Sequence, residues 1–425
     1  MHRRLVVTRR RFIRGAIAAL TAPYVLTSRA WGRTPPSERI TLGIIGVGNM
    51  GAGHVETLKN NRDFQIVAIC DVNREKREKA KAIVEEAYGE DEASGLYRGV
   101  TTFNEFEHLL MRADIDAVLI AVPDHWHAII AIAACQAGKD VYCEKPLSLT
   151  IREAEEMVAA ARRYGRVFQT GSQQRSDGKF RLACELVRSG RIGRVLTVNV
   201  NVNGTSSERC FPEQPVPDGL DWNRWLGPAP WQPYNQERAS GSYSGGWRLI
   251  RDYSGGGVTD WGAHHIDIAQ WALGMDGSGP VEIIPPNLSE SKTLTFKYAN
   301  GIVMSLGGAN GVLFTGTDGK IEVNRGYFKT WPESIGKEPL GPNDVHLYES
   351  PGHHEDWLRC IRTRRRPICD VAVGASSVTV CHLGNIAWWT GRTLRWDPQR
   401  RQIIGDEAAS RWPDRPRRPP WRLHM

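Results

Sequence analysis

The sequence predicts a doubly wound α/β Rossmann domain with a parallel sheet, followed by an α+β domain with a mostly antiparallel, open sheet. Three observations predict it. From Ile40 to Gln169, short apolar runs alternate with amphipathic helical runs, the pattern of a parallel sheet covered on both faces. A glycine-rich turn, Gly46-x-Gly48-x-x-Gly51, separates the first apolar run from the first helical one. Beyond Gln173 the alternation stops, and period-two strands with a hairpin signal replace it. At 425 residues the chain is longer than one hydrophobic core usually serves. Two domains are expected, over residues 36–172 and 173–425, behind a leader and linker over 1–35.

In the first domain, strands are expected at 40–45, 65–70, 115–121, 141–143 and 167–169, with helices at 51–59, 74–88 and 126–137 between them. Thr150 and Glu153 form a capping box for a further helix to about Tyr164, which places Ile151, Ala154, Val158 and Ala161 on one face. In the second domain, Val198, Val200 and Val202 alternate with asparagines, as in a half-exposed strand. Further strands are expected at 293–298, 302–306, 312–315 and 320–323, with Asp318-Gly319 as the hairpin turn between the last two. Helical patterns return at 354–362 and 378–391, and the Pro/Arg-rich tail from Trp412 reads as extended over the surface.

The formal charge of +8 is concentrated at the ends of the chain. Residues 1–30 carry seven arginines and no acid, and residues 411–425 carry five more arginines against Asp414 alone. The body between them is close to neutral. It lacks the basic face a nucleic-acid binder needs, so no nucleic-acid partner is expected. The leader itself has a basic start and resembles the twin-arginine export motif at Thr8-Arg9-Arg10-Arg11-Phe12. A short apolar run (residues 15–26) and a Ser28-Arg29-Ala30 cleavage pattern follow. That run falls short of the roughly 20 residues that span a bilayer. Export to the periplasm is expected, with no membrane span. Of the eight cysteines, Cys70 and Cys143 end strand-like runs and Cys135, Cys184, Cys360 and Cys381 sit in helix-like runs, so buried reduced thiols are expected rather than disulfides.

Four clusters carry chemistry. The glycine turn follows a strand and opens a helix, and Asp71 ends the next strand, twenty residues beyond Gly51. This is the dinucleotide fingerprint in full. Gly46 permits the tight turn, Gly48 lets backbone approach the pyrophosphate, and Gly51 lets helix and strand pack closely. Asp71 can accept from the ribose hydroxyls, which favours NAD, while Arg74 could meet the 2′-phosphate of NADP. The second cluster, Ala121-Val122-Pro123-Asp124-His125-Trp126-His127, and the third, Glu144-Lys145-Pro146, both follow strands. There they would face a ligand bound beyond the carboxyl ends of the sheet. In the fourth, Asp260 and His264 lie four apart at the start of a helical run. A carboxylate beside an imidazole can make a general base. Each residue has a plainer reading: Lys145 as a surface salt bridge with Glu144, His127 and His264 as packed histidines, Asp260 as a helix cap. His125, His127, His264, His265 and Asp267 lie on separate elements with no familiar zinc spacing, so no metal site is expected.

Taken together, the glycine fingerprint, the Pro123–His127 loop, Glu144-Lys145-Pro146 and Asp260-x-x-x-His264-x-x-Asp267 resemble the Gfo/Idh/MocA oxidoreductases over roughly residues 40–400. That family is named for glucose–fructose oxidoreductase, inositol dehydrogenase and a rhizopine catabolism protein. The resemblance implies an NAD(P)-dependent oxidoreductase acting on CH–OH groups of a sugar or cyclic polyol, in a homo-oligomer, dimer or tetramer. It implies that Gly46, Gly48, Asn49, Met50 and Gly51 hold the pyrophosphate and Asp71 the adenosine ribose. Pro123, His127 and Glu144 would line the nicotinamide side. Lys145 would position substrate, and His264 would be the acid/base with Asp260 as its partner or a substrate ligand. The long aromatic segment 203–251 departs from the pattern and reads as a substrate wall or a packing surface. Export adds a constraint, because a dinucleotide carried out with the folded protein has to be recycled in place. Alternatives are glycoside cleavage or epimerisation by transient oxidation, a cytoplasmic inositol-type dehydrogenase, and a non-catalytic sugar-binding protein.

Overall fold

The computed structural model describes residues 38–423 apart from 94–96, 203 and 244. The export leader expected over residues 1–35 lies outside the described residues.

Six strands form the first sheet: β1 (Ile40–Ile45), β2 (Phe64–Cys70), β3 (Thr101–Phe103), β4 (Ala117–Ile120), β5 (Asp140–Cys143) and β6 (Phe168–Thr170). Their order is β3-β2-β1-β4-β5-β6, with every pair parallel. Ile44 and Leu119 pack under the helices Asn49–Leu58 and Arg74–Ala93 on one face. Val118 and Ile120 pack under Asp124–Gln136 and Ile151–Arg163 on the other. Burial on both faces explains why these strands read as continuous apolar runs. The strand order reverses between β1 and β4, and a crevice opens there beyond the carboxyl ends of the strands. One half of the capping box is formed, with Thr150 Oγ1 accepting from Glu153 N at 3.1 Å, while Glu153 Oε2 reaches one residue past the cap and accepts from Leu149 N at 2.9 Å. Strand β3 and the helix Phe106–Leu110 are too short to leave a period in the sequence.

Among the described residues, nine strands form the second sheet: β7 (Val195–Val200), β8 (Glu282–Ile284), β9 (Thr295–Lys297), β10 (Val303–Leu306), β11 (Val312–Gly316), β12 (Lys320–Asn324), β13 (Tyr327–Trp331), β14 (Leu394–Asp397) and β15 (Gln402–Ile403). They run in the order β13-β12-β11-β7-β10-β9-β8-β14-β15, antiparallel except for the parallel pair β7–β10. Asp318-Gly319 joins β11 to β12, as the dipeptide predicts. One face of the sheet buries Val198, Met304, Phe314 and Ile321 against the helices Gly178–Arg188, Gly262–Leu273 and Val371–Thr390. The last of these is long and apolar enough to cross a membrane by length and composition, but most of it is buried in this core. It begins at Val371 because Asp370 caps it, accepting from Ala372 N at 3.1 Å. All eight cysteines are unpaired, and all but Cys210 are buried.

The aromatic segment builds a small core of its own from Trp222, Leu226, Tyr234, Trp247, Ile250 and Tyr253, with Trp222 stacked on Trp225 at 4.7 Å. It is strapped to the first domain. Asp221 N donates to Val72 O at 2.9 Å, Arg74 N donates to Gly219 O at 2.9 Å, and Asn104 Nδ2 donates to Asp221 Oδ2 at 2.9 Å. The extended tail is anchored as well: Trp421 packs edge-on against Trp126 at 4.7 Å, and Arg417 meets Glu153 at 3.1 Å.

Candidate active site

The crevice at the β1/β4 reversal is a cavity of about 370 Å³, and Gly46, Gly48, Asn49, Met50, Asp71, Pro123, Glu144, Lys145 and Asp260 all line it. The glycine turn fits a dinucleotide. Gly46 has φ +87°, and a Cβ there would stand 2.5 Å from the Ala121 carbonyl oxygen. Gly51 packs under the turn, since its Cβ would stand 2.0 Å from Gly46 O. At Gly48 a Cβ would meet nothing within 4 Å, so this backbone faces open space from which a pyrophosphate can approach. At the ribose end the Asp71 carboxylate is fixed by two backbone donors, Val47 N on Oδ2 and Asn73 N on Oδ1, both at 2.8 Å.

At the other end stand the chemical groups. Glu144 is 3% exposed. Its Oε1 lies 2.9 Å from His54 Nε2 and 3.2 Å from Gln173 Nε2, and its Oε2 accepts from Lys145 N at 3.0 Å. Burial pushes this carboxyl up, but His54 and Lys145 outweigh it, and the group ends below the usual glutamate range. Lys145 Nζ lies 2.5 Å from Asp260 Oδ1, so the lysine pairs across the domains with Asp260 and not with its neighbour Glu144. The helix expected to carry Asp260 and His264 on one face breaks at Trp261, between Gly257–Asp260 and Gly262–Leu273. Asp260 therefore serves Lys145, while His264 stands apart with its Nδ1 unpartnered. Both still line a second cavity that opens beside Lys145. Burial holds the His264 pKa well below the ordinary histidine value, and the charges of Lys145 and Arg325 add to this. At neutral pH its imidazole is free to accept a proton.

His127 does not line the cleft. It is 1% exposed, with Nδ1 2.8 Å from Pro146 O and Nε2 2.9 Å from Val122 O, so it ties the third cluster to the second from behind. Asp267, part of the fourth cluster, is fully buried against Arg175 at 2.8 Å and holds that helix in place. Two features are legible only in part from the sequence, which places Asp124 in the second cluster without a role of its own and offers the aromatic segment as a substrate wall or a packing surface. Asp124 sits 2% exposed in the cleft wall, where burial pushes its pKa up to about 7. The aromatic segment roofs the dinucleotide cleft: Trp225, Tyr234, Gly241, Tyr243, Trp247 and Arg248 line it, and Asn49 Nδ2 donates to Gly241 O at 3.0 Å. Only the segment's density of aromatic residues marked it. Among the described residues no group of three or more His, Cys, Asp or Glu side chains is placed to hold a metal ion.

Two family models match the chain. One, described as an oxidoreductase family NAD-binding Rossmann fold, covers residues 40–172; the other, an oxidoreductase family C-terminal alpha/beta domain, covers 183–423. A myo-inositol 2-dehydrogenase from Thermotoga maritima is 31% identical over 44% of this chain and 49% of its own length. An inositol 2-dehydrogenase from Saccharopolyspora erythraea is 25% identical over 72% of this chain and 73% of its own. The match thus spans about half the length of the first relative and nearly three-quarters of the second. Among solved structures, an aldose–aldose oxidoreductase from Caulobacter crescentus superimposes with a TM-score of 0.57 at 20% identity, over 84% of this chain and 99% of that one. The WlbA dehydrogenase from Bordetella pertussis superimposes with a TM-score of 0.58 at 18% identity, over 85% and 98%. At these identities the structures share the fold.

Proposed function

The chain belongs to the Gfo/Idh/MocA oxidoreductase family, and from that premise we propose that it oxidises a carbinol of a sugar or cyclic polyol with a dinucleotide that stays bound through turnover. When bound, the dinucleotide supplies the hydride acceptor. Gly46, Gly48 and the start of the helix Asn49–Leu58 would hold its pyrophosphate, Asp71 its adenosine ribose, and Pro123 and Glu144 the nicotinamide side. Lys145, oriented by Asp260, hydrogen-bonds the substrate hydroxyl and stabilises negative charge on its oxygen. His264, kept neutral by burial, takes the hydroxyl proton as the carbinol carbon gives up its hydride.

The observation that carries the retained cofactor is the roof. Residues from Pro217 to Tyr243, with Trp247 and Arg248, contribute to the wall of the cleft, and the segment is fastened to the Rossmann domain at Asn49 through Gly241 and at Asn104 through Asp221. Release of a dinucleotide would require these bonds to open. Export by the twin-arginine leader fits the same reading, since a folded protein can carry its cofactor with it. The reaction is then redox-neutral: one carbinol is oxidised and one carbonyl reduced, on a second sugar or on the same one after elimination or epimerisation. The names of the inositol and aldose relatives favour a polyol or sugar over other carbinols.

The test is to denature the purified mature protein and identify any released nucleotide by mass. Close to one NAD or NADP per chain is the expected result. An empty protein that binds added NAD reversibly would leave an ordinary dehydrogenase and remove the recycling scheme. An N-terminus beginning near Trp31 in the envelope fraction would support export, and an intact leader on a cytoplasmic protein would remove it.

A further inference from the structure

The second cavity shares Met50, Lys145, Tyr243 and Asp260 with the dinucleotide cleft and is lined besides by His264, Gln174, Trp261 and Arg325, of which Trp261 and Arg325 are exposed. Its formal charges balance, Lys145 and Arg325 against Asp177 and Asp260, but they are not paired one to one. The two carboxylates lining it are engaged: Asp260 Oδ1 with Lys145 Nζ at 2.5 Å, and Asp177 Oδ1 as a helix cap accepting from Lys179 N at 2.8 Å and Phe180 N at 3.4 Å. Arg325, exposed at the turn between β12 and β13, has its guanidinium 5.0 Å over the ring of Trp261. It makes no side-chain hydrogen bond or ion pair among the described residues. The neighbouring turn cation Lys179, by contrast, donates to Gly326 O. Deeper in, Gln174 is 4% exposed, and neither its amide nitrogen nor its amide oxygen has a hydrogen-bond partner. A side chain this buried, in the lining of a cavity and with both amide groups unpartnered, can serve a ligand group that donates and accepts once a small rotation brings it to the cavity.

We propose that this cavity takes an acidic sugar or polyol, one that carries a carboxylate or a phosphate ester away from the oxidised carbinol, with Arg325 holding the anion and Gln174 a hydroxyl between. The inference rests on the dehydrogenase reading of the same site and narrows its substrate class. The guanidinium offers a planar pair of donors that matches a carboxylate or phosphate edge. The cation–π contact with Trp261 restrains the guanidinium before substrate arrives, so less side-chain freedom is lost on binding. A neutral sugar would fill the same space and leave unused Arg325, the one cation among the described lining residues without an ion pair. Arg325 lies at the rim, in the turn between β12 and β13, apart from the turn that carries Lys145 and the helix that carries His264, but its charge reaches the proton step by helping to lower the His264 pKa, so the test reads affinity and not turnover.

The experiment uses the full mature protein with its bound nucleotide. Calorimetry measures the affinity of three matched ligands, glucose, glucuronate and glucose 6-phosphate, and repeats the series with galactose, galacturonate and galactose 6-phosphate. At least one acidic member is expected to bind ten-fold or more tightly than its neutral parent, and which one it is separates the carboxylate from the phosphate source. In R325Q that advantage should vanish while the affinity of the neutral parent stays within two-fold, and R325K should restore part of it. Equal affinity of acids and parents, no binding by any acid, or an equal loss of both classes in R325Q would each overturn the proposal. Turnover of the same panel reads the parent hypothesis separately. Acids that bind through Arg325 but are not oxidised would leave the recognition standing and remove the dehydrogenase reading.

Discussion

Glu144 Oε1 lies 2.9 Å from His54 Nε2, and the opposite ring nitrogen of His54 lies 3.1 Å from His354 Nε2. The cofactor-facing carboxylate is thus held by a histidine from the first helix after the glycine turn, itself backed by a histidine of the helix His353–Thr363. Glu144 and His54 are 3% and 5% exposed, so neither has water to replace a lost partner. Replacing one member of a buried pair leaves the other uncompensated, at a cost of about 3–5 kcal/mol. His54→Leu is expected to lower the melting temperature, and also to raise the Glu144 pKa by removing the largest of the influences that lower it. The measurement is the pH dependence of turnover in His54→Leu, with His54→Asn, which keeps a hydrogen-bond donor, expected to restore part of the wild-type profile. A new limb above the wild-type glutamate range supports electrostatic positioning by His54. An unchanged profile with reduced stability would mean that His54 only packs.

Lys145 and His264 should fail in different ways. Lys145→Met removes the group that holds the substrate oxygen, and turnover is expected to fall about 10²–10⁴-fold while the nucleotide remains bound. It also removes a cation that depresses the His264 pKa. The acid limb of kcat, which in the wild type lies below the ordinary histidine value because His264 is held neutral, should therefore move to higher pH in Lys145→Met. His264→Ala should abolish that limb and reduce turnover far more than nucleotide content. Equal loss of both in His264→Ala would make the histidine structural.

The roof over the cleft hangs on a small number of groups, and Asp221 is the most exposed to test. Its Oδ1 caps the helix Trp222–Leu226 through Arg224 N at 3.0 Å, and its Oδ2 accepts from Asn104 Nδ2 at 2.9 Å. Asp221→Ala should cost about 1 kcal/mol, a typical value for a lost cap. More to the point, it should let nucleotide leave on dialysis while kcat at saturating nucleotide stays near wild type. Nucleotide retained as before in this variant would show that the roof does not set its residence time.

The sequence announced the Rossmann half because its strands are buried on both faces and its turn is written in glycines, so pattern and chemistry coincide in a short stretch. Asp71, Pro123, Glu144 and Lys145 were legible because each stands just past a strand, where the fold puts ligands. The pairing of Lys145 with Asp260 was not legible: 115 residues separate them, and the i, i+4 spacing pointed Asp260 to His264 until the helix break at Trp261 took it elsewhere. His127 carried the right residue type on the right loop, but only the packing of the Pro146 turn shows that both of its ring nitrogens face carbonyls. The roof was the least legible feature. Its helices are four or five residues long, and it is ordered by contacts with the Rossmann domain that no local period encodes.

Buried neutral histidines give the fold a defined weakness toward acid. Burial lowers His125 to about 3, His353 to about 4 and His382 to about 4, from an ordinary value of 6.5. Each is less than a tenth exposed. With the folded pKa depressed, the unfolded chain binds more protons than the folded one between about pH 6.5 and 4, so stability falls as pH drops through that window. The slope is about 1.4 kcal/mol per pH unit for each such histidine. Asp124 works the other way. Its folded pKa is raised to about 7, so its contribution recovers as pH falls from 7 towards its unfolded value of 3.8. Asp71, Glu153, Glu155 and Asp267 shift in the same direction as Asp124, but His127, His264, His265 and His354 are lowered with the three above, so seven histidines stand against five carboxyls and the net sign is destabilising. The melting temperature is therefore expected to hold above about pH 6.5 and to drop steeply from there to pH 4.5, with His382→Gln, which keeps a donor for the Ser148 carbonyl oxygen, flattening the fall. A melting temperature constant from pH 7.5 to 4.5 would mean that these imidazoles reach water and that the interior around them is looser than their burial implies.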